Sequence, residues 1–435
     1  MGNIIWNRKA ECMDRKELAD MQLAKLKDTV KRCYERVPLY KKKFNEIGLK
    51  PEHIKTLDDI KHIPFTTAED LKQNYPFGMF AVDKKEIVRI HGSSGTTGKP
   101  KIVGYTRNDL DNWTECLARV ISAAGVNAGD IAQIAFGYGL FTGGFGLHYG
   151  MERVGAMVVP LSSGNTERQL MIMKDFGTTV LVATPSYALY MVDEMKKRGI
   201  TKDDLKLKVA LFGGEGHTEA MRKKIEDELG ILATENYGLS EIGGPGYSGE
   251  CYLKNGMHIA EDKFFSEIID PETCETLGMG EKGELVVTTL EKEGMPVLRY
   301  RTRDITWLDD TPCDCGRTSM RMAKVQGRSD DMLVIRGVNV FPSQIEEVVM
   351  RQKEIEPFYE IVVTNEGYMD KIEVKVELKD GSMLDDYKRL EQFKAKISHE
   401  LKTTLNIEAR VTLVSAGTLP RFEGKAKRVI DLRQK

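Results

Sequence analysis

His91-Gly-Ser-Ser-Gly-Thr-Thr-Gly-Lys-Pro-Lys101 sets four hydroxyls and three glycines in one short run that ends on lysines. Glycines let backbone N–H groups turn toward a common point, the hydroxyls add donors, and Lys99 adds charge. Such a loop cradles phosphate oxygens. Ser93, Ser94, Gly95, Thr96, Thr97, Gly98 and Lys99 are therefore the candidate phosphate contacts. Residues 86–90 and 102–105 on either side read as strands. The Walker P-loop is excluded on three counts: Ser93 stands where its first Gly is needed, Pro100 where it needs Ser or Thr, and a strand follows instead of a helix. The plain alternative is a polar hairpin turn.

Working outward, β-rich runs at 156–160, 179–183, 208–212 and 232–236 alternate with helical runs at 166–176, 187–198 and 218–229. That alternation predicts parallel βαβ units with helices covering a sheet. Upstream, Leu18, Met21, Leu26, Val30, Cys33 and Val37 recur at helical spacing until Pro38 interrupts them, which predicts an amphipathic helical preface over 14–47. Downstream of Gly283 the pattern changes to strands at 284–290 and 305–308, a β-rich subdomain. The polar stretch Gln326-Gly-Arg-Ser-Asp-Asp331 marks a boundary, because beyond it the periodicities restart. Pro342 suits the first turn of a helix carrying Ile345, Val348 and Val349, and 371–379 alternates through Ile372, Val374, Val376 and Leu378. A helix over 384–405 and a strand near 410–414 complete a small α/β lid. The expected architecture is α/β, with a large domain at 1–329 and the lid at 330–435.

Sixty-four basic against 66 acidic residues leave a net charge of −2, which argues against a general nucleic-acid or membrane-surface binder. A hydrophobic content of 41 % excludes global disorder. The amino terminus turns charged at once, no window approaches eighteen apolar residues, and Trp6 stands where a myristoylation signal needs Ser or Thr. Seven cysteines, an odd number spread over a long chain, suit a reducing compartment. The expectation is a soluble, cytoplasmic protein.

Four further motifs follow the loop: Tyr237-Gly-Leu-Ser-Glu241, Tyr300-Arg-Thr-Arg-Asp304, Gly327-Arg-Ser-Asp330 and Gly424-Lys425. In this order the set resembles the signature motifs of the adenylate-forming acyl- and aryl-CoA synthetases. The wording of Ile335-Arg-Gly-Val-Asn-Val-Phe-Pro342 and Pro420-Arg-Phe-Glu-Gly-Lys-Ala-Lys-Arg428 is most similar to the phenylacetate-CoA ligase family, and the helical preface fits it too. The resemblance implies ATP, Mg²⁺ and coenzyme A as co-reactants, and catalytic roles for Glu241 and Lys425. Glu241 would ligate Mg²⁺; Asp304 would accept the ribose hydroxyls; Tyr237 would stack on adenine. Gly214, Glu215, Asn236, Gly238, Ser240 and Arg328 would line the nucleotide site. Asp330 would be the hinge of a mobile lid, and Arg336, Gly337 and Val338 would face the CoA tunnel after rotation. Tyr138 and Phe141, with Gly214, are the acyl-pocket candidates, and an aromatic acid such as phenylacetate is the expected substrate. Plainer readings stand beside these: Glu241 on a solvated face, Asp304 as an arginine-paired structural acid, Lys425 in a basic tail, and Phe136–Phe141 as core.

Cys251, His258, Cys313 and Cys315 supply three sulfurs and one imidazole, the donor set of a closed structural zinc site. Many phenylacetate-CoA ligases lack this cysteine pair, so the resemblance does not carry the zinc. The leading expectation is an ATP-dependent, AMP-forming ligase of an aromatic acid and coenzyme A, serving phenylacetate catabolism. The alternatives are an adenylation enzyme that loads a carrier protein and a nucleotide-binding regulator without catalysis. A homodimer is implied only by analogy.

Overall fold

The computed structural model describes residues 4–93, 100–335, 338–366, 369–423 and 425–433. These divide into two compact units. The first holds residues up to Ala183 together with Leu205–Gly214 and Leu232–Lys324. The second holds Thr184–Asp204, Glu215–Ile231 and the chain from Val325 onward. Among the described residues no helix is long and apolar enough to cross a membrane.

The first unit opens with the helices α1 (Arg8–Glu11), α2 (Arg15–Arg36), α3 (Pro38–Glu46) and α4 (Ala68–Gln73). Asp14 starts α2 by accepting from the N–H groups of Lys16 and Glu17, and Pro38 ends the run and opens α3. The expected break therefore falls where the proline dictates. Strands β1 (Arg89–Ser93) and β2 (Lys101–Tyr105) form an antiparallel hairpin. The first strand begins later than the expected 86–90, because Lys84–Glu86 is a 3₁₀ turn.

After α5 (Arg107–Ala123) the chain winds through β3 (Ile131–Ile134), α6 (Thr142–Val154), β4 (Met157–Val159), α7 (Thr166–Asp175) and β5 (Val180–Ala183). It continues through α8 (Pro185–Lys197), β6 (Val209–Phe212), α9 (Glu219–Leu229) and β7 (Leu232–Leu239). Strands β4, β3, β5, β6 and β7 lie parallel in that spatial order, the βαβ pattern expected from the sequence. Antiparallel β8 (Gly244–Glu250), β9 (Met257–Ile259), β14 (Arg321–Met322) and β13 (Leu308–Asp309) extend the same sheet. A second, antiparallel layer joins β10 (Phe264–Ile269), β11 (Gly283–Thr289) and β12 (Tyr300–Thr306). The order 4-3-5 reverses direction at β3, and α/β sheets bind ligands beyond the carboxyl ends of their strands at such a switch. Phe136–Phe141 follows β3, Gly213–Gly214 follows β6, and Asn236–Leu239 ends β7 with Glu241 in the turn after it.

Helices α5 and α6 meet at glycines. A Cβ on Gly150 would lie 2.5 Å from the Leu117 Cβ and 2.7 Å from the Ile121 Cδ1, and one on Gly146 would lie 2.6 Å from the Trp113 ring. Glycine inside a helix costs about 1 kcal/mol relative to alanine, yet here it is what permits the approach. Gly150→Ala should therefore destabilise by about 1–3 kcal/mol through overpacking, measured as a lower denaturant midpoint. A midpoint at or above the parent value would contradict this packing.

The second unit contains α8 and α9, the crossover helices before β6 and β7, along with the C-terminal chain. Past β15 (Gly327–Arg328) lie the hairpin β16 (Leu333–Ile335) and β17 (Val338–Val340), then α10 (Pro342–Met350). Next come β18 (Ile355–Glu366), β19 (Met369–Leu378), α11 (Tyr387–Leu405), β20 (Ala409–Val414) and β21 (Val429–Asp431). Their sheet runs β20-β19-β18-β21 and packs a core of Ile345, Val349, Ile361, Val374, Ile397 and Leu401. Asp380 caps a 3₁₀ turn at Gly381–Asp385, so α11 starts three residues after the expected 384.

Candidate active site

The base of the β1–β2 hairpin is fixed by aromatic packing. Tyr105 stacks on Trp113 at 5.4 Å, and His91 meets both rings edge-on. His91 is 1 % exposed and donates from Nδ1 to the Leu140 carbonyl at 3.1 Å. Burial lowers its pKa, with the Leu140 bond opposing. It is a structural residue that holds the hairpin against the loop after β3. Ser93 closes β1, whereas the calls on Ser94, Gly95, Thr96, Thr97, Gly98 and Lys99 lie outside the described residues.

Glu241 sits in the turn after β7 and is 2 % exposed, which disposes of the solvated-face reading. Its carboxylate pairs with the Lys101 ammonium and accepts from Ser93 Oγ at 3.4 Å. Lys101, absent from the sequence expectation, thereby satisfies a charge that could not remain buried alone. Lys292 lies beside it, 3.4 Å from the Glu241 carbonyl and 4.8 Å from the Tyr105 ring centre. Burial draws the Lys292 pKa down to about 8, against the opposing pull of Asp109 and Glu241. A carboxylate so placed, with a hydroxyl adjacent, is the hard oxygen donor that Mg²⁺ accepts. Nearby Ser240 Oγ lies 3.1 Å from Thr142 Oγ1. Gly238 is required by the fold, since a Cβ there would fall 2.0 Å from the Gly244 carbonyl where β7 turns into β8.

Asp304, on β12, is 4 % exposed and accepts from the Tyr237 hydroxyl at 2.5 Å, joining the two sheets. Burial, then the Asp304 charge, raises the Tyr237 pKa well above the usual phenol range. The arginines around Asp304 have other partners. Arg299 makes a two-pronged pair with Glu267, and Arg301 another with Glu284, which also receives Arg303. The basic run therefore buttresses β10, β11 and β12 through Glu267 and Glu284. Asn236 donates from Nδ2 to the Phe212 carbonyl at 2.7 Å, which binds the ends of β6 and β7 together.

Tyr138 gives its hydroxyl to His148 Nδ1 or receives from it at 3.0 Å, and His148 Nε2 lies 3.2 Å from Glu152. Phe145 packs edge-on against Tyr138 at 5.1 Å. His148 and Phe145 lie on α6 and were not among the expected residues; the helical spacing 145-148-152 after Tyr138 was the available signal. Burial lifts the Tyr138 pKa, so it remains a neutral phenol. Phe141 is half exposed and Gly214 takes φ +83°, a left-handed conformation that favours glycine.

In the second unit, Arg328 makes a two-pronged pair with Asp330 at 2.9 and 3.0 Å. Val338 pairs with Ile335 across the β16–β17 hairpin, while Arg336 and Gly337 lie outside the described residues. Lys425 is exposed. Glu215 accepts from the Ser186 N–H at 2.7 Å with one oxygen and from the Ala426 N–H at 2.8 Å with the other.

Cys251, His258, Cys313 and Cys315 converge in the first unit, all buried, with their ligand atoms within 4.8 Å of one another. Tetrahedral zinc with bonds of about 2.3 Å places sulfur donors roughly 3.8 Å apart, so the donor set fits the ion. His258 Nε2 lies 3.3 Å from Cys315 Sγ while Nδ1 lies 3.2 Å from Ser319 Oγ, so a second partner orients the ring. His258 lies on β9, Cys251 follows β8, and Cys313 and Cys315 precede β14; the three pair as neighbours in the sheet.

The AMP-binding enzyme model matches residues 20–290, and the AMP-binding enzyme C-terminal domain model matches residues 337–433. Phenylacetate-coenzyme A ligase from Thermus thermophilus is 45 % identical over 99 % of this chain and all of its own length. Its counterpart from Escherichia coli is 48 % identical over 96 % of this chain and 95 % of its own. A crystal structure of 2-hydroxyisobutyryl-CoA ligase in the postadenylation state superposes with a TM-score of 0.92 at 28 % identity, covering 98 % of this chain and 92 % of that one. Motifs, fold and full-length likeness agree: the chain belongs to the phenylacetate-coenzyme A ligase family of AMP-binding enzymes.

Proposed function

We infer that the chain joins an aromatic carboxylic acid of the phenylacetate type to coenzyme A in two steps. The carboxylate oxygen first attacks the α-phosphorus of ATP, giving acyl-AMP and releasing pyrophosphate. The CoA thiol then attacks the acyl carbon, a thioester forms, the thiol proton passes to solvent, and AMP leaves. The observation that carries this reading is the grouping of Tyr237, Asp304 and Glu241 around the carboxyl end of β7, with Ser93 of the hairpin 3.4 Å from Glu241.

Asp304 offers a buried carboxylate to paired hydroxyls, as a ribose presents them, with Tyr237 holding its orientation. Glu241 and Ser93 are the residues that would hold Mg²⁺, which when bound offsets charge on the phosphates. Tyr138, kept as a neutral phenol and backed by Phe145, suits a flat apolar ring. Residues 1–329 would carry adenylation and 330–435 would form the lid, turning at Asp330 and presenting Lys425 for the first step and Arg336–Val338 for the second. The four donors Cys251, His258, Cys313 and Cys315 would hold one structural Zn²⁺, with no open position for catalysis. The seven cysteines form no disulfide, which favours a cytoplasmic location.

The test is steady-state turnover of the purified chain with ATP, Mg²⁺ and free CoA over phenylacetate, indoleacetate, benzoate and a medium-chain fatty acid. Aryl-CoA and AMP forming in equal amounts, fastest with an arylacetate, is the expected result. Adenylation without transfer to free CoA would favour a carrier-protein acceptor instead.

A further inference from the structure

The chain around Lys425 is gripped on both sides by side chains of the second unit. Upstream, Arg421 makes a two-pronged pair with the fully buried Glu377 at 2.9 and 2.8 Å and lies over the Phe358 ring. Downstream, Arg428 donates to Glu346 at 2.7 Å and to Ser186 Oγ at 2.9 Å, while Glu346 also accepts from the Thr218 N–H at 3.0 Å and from the Tyr359 hydroxyl. Between these two anchors, next to Lys425, the Ala426 N–H donates to Glu215 at 2.8 Å. The other Glu215 oxygen is fixed by the Ser186 N–H at the start of α8.

We propose that Glu215 is a positioning residue for Lys425: its carboxylate clamps the Ala426 N–H to the start of α8 and so sets the origin of the Lys425 side chain during adenylation. A lysine reaches through four rotatable carbons, so its ammonium can be placed only if its backbone is. The Ser186 and Ala426 N–H groups need an acceptor on each side, and a carboxylate, acceptor-only, supplies both. An amide cannot: one of its two positions is an NH₂ that faces another donor. The assignment moves Glu215 from contact with nucleotide to control of the lid segment, and it rests on the reading of Lys425 as the adenylation cation.

The experiment compares parent, Glu215→Gln, Lys425→Ala and the double variant in both half-reactions, namely pyrophosphate release from ATP and phenylacetate, and thioester formation from preformed phenylacetyl-AMP and CoA. Glu215→Gln should slow pyrophosphate release by about 10–100-fold, the effect of ångström-scale misplacement of a reacting group, with the KM for ATP unchanged. Its thioester half-reaction should stay within about twofold of the parent, which a folding defect would not allow. In the Lys425→Ala background the same change should cost nothing further, because residues acting as a unit are not additive. Parental pyrophosphate release in Glu215→Gln, a raised KM for ATP as the main effect, equal loss of both half-reactions, or full additivity with Lys425→Ala would each overturn the proposal. Parental adenylation in Lys425→Ala alone would instead remove the Lys425 reading, and the positioning role with it.

Discussion

Lys425→Ala is expected to lower acid-dependent pyrophosphate release by at least about 100-fold while leaving thioester formation from preformed phenylacetyl-AMP near the parent rate. When the carboxylate attacks the α-phosphorus, negative charge gathers on the phosphate oxygens and the departing pyrophosphate, and a fixed cation contributes most where that charge develops. Removing one such group commonly costs about 10²–10³ in rate. In the second step the nucleophile is a thiol and the leaving group is AMP, so a lysine serving only the first step is dispensable there. The exposed position of Lys425, between segments held by Glu377 and Glu346, suits a side chain that approaches and withdraws. Equal loss of both half-reactions would refute this division of labour.

The second large effect concerns metal. Protein purified without added metal should contain about one zinc per chain, and Cys315→Ser should lose it. Three thiols and an imidazole are brought into one buried cluster, with the apolar neighbours Ala123 and Tyr252 beside it, and this donor set matches what zinc takes. Binding free energy at a structural site is folding free energy. Loss of about 3 kcal/mol would lower the melting midpoint by roughly 3–5 °C, because the shift per kcal/mol shrinks with chain length to ~1–2 °C here. The loss should fall on stability, with residual turnover of the folded fraction retained, because all four donors would be engaged. Zinc-free protein with an unchanged midpoint would remove the site.

Much of this was legible in the sequence, for identifiable reasons. The parallel strands β5 and β6 are fully buried runs, Val180–Ala183 and Val209–Phe212, followed by capping threonines at 184 and 218, so the β/α alternation stands out. The phosphate reading of the loop from His91 to Lys101 rests on composition, and its residues 94–99 lie outside the described ones. Strand β12 was harder, since its inward residues Tyr300, Thr302 and Asp304 are polar and its outward Arg301 and Arg303 both pair with Glu284 on β11; apolar periodicity is blank there. Strand β18 was missed because Pro357 falls near its start, at an irregularity in the pairing with β19. Lys101, Lys292 and His148 escaped notice because each draws its meaning from a partner distant in sequence or from burial, and neither leaves a local pattern. The grouping of α8 and α9 with the C-terminal chain depends on contacts such as Thr218 with Glu346, which no periodicity encodes.

The function rests on an acyl adenylate made from an aromatic acid. The most direct test is ATP–pyrophosphate exchange with labelled pyrophosphate, ATP, Mg²⁺ and phenylacetate, with coenzyme A left out. Exchange is expected to require the acid, to be lost in Lys425→Ala, and to give way to aryl-CoA and AMP when coenzyme A is added. Absence of exchange while aryl-CoA still forms, or formation of ADP in place of AMP, would contradict this function.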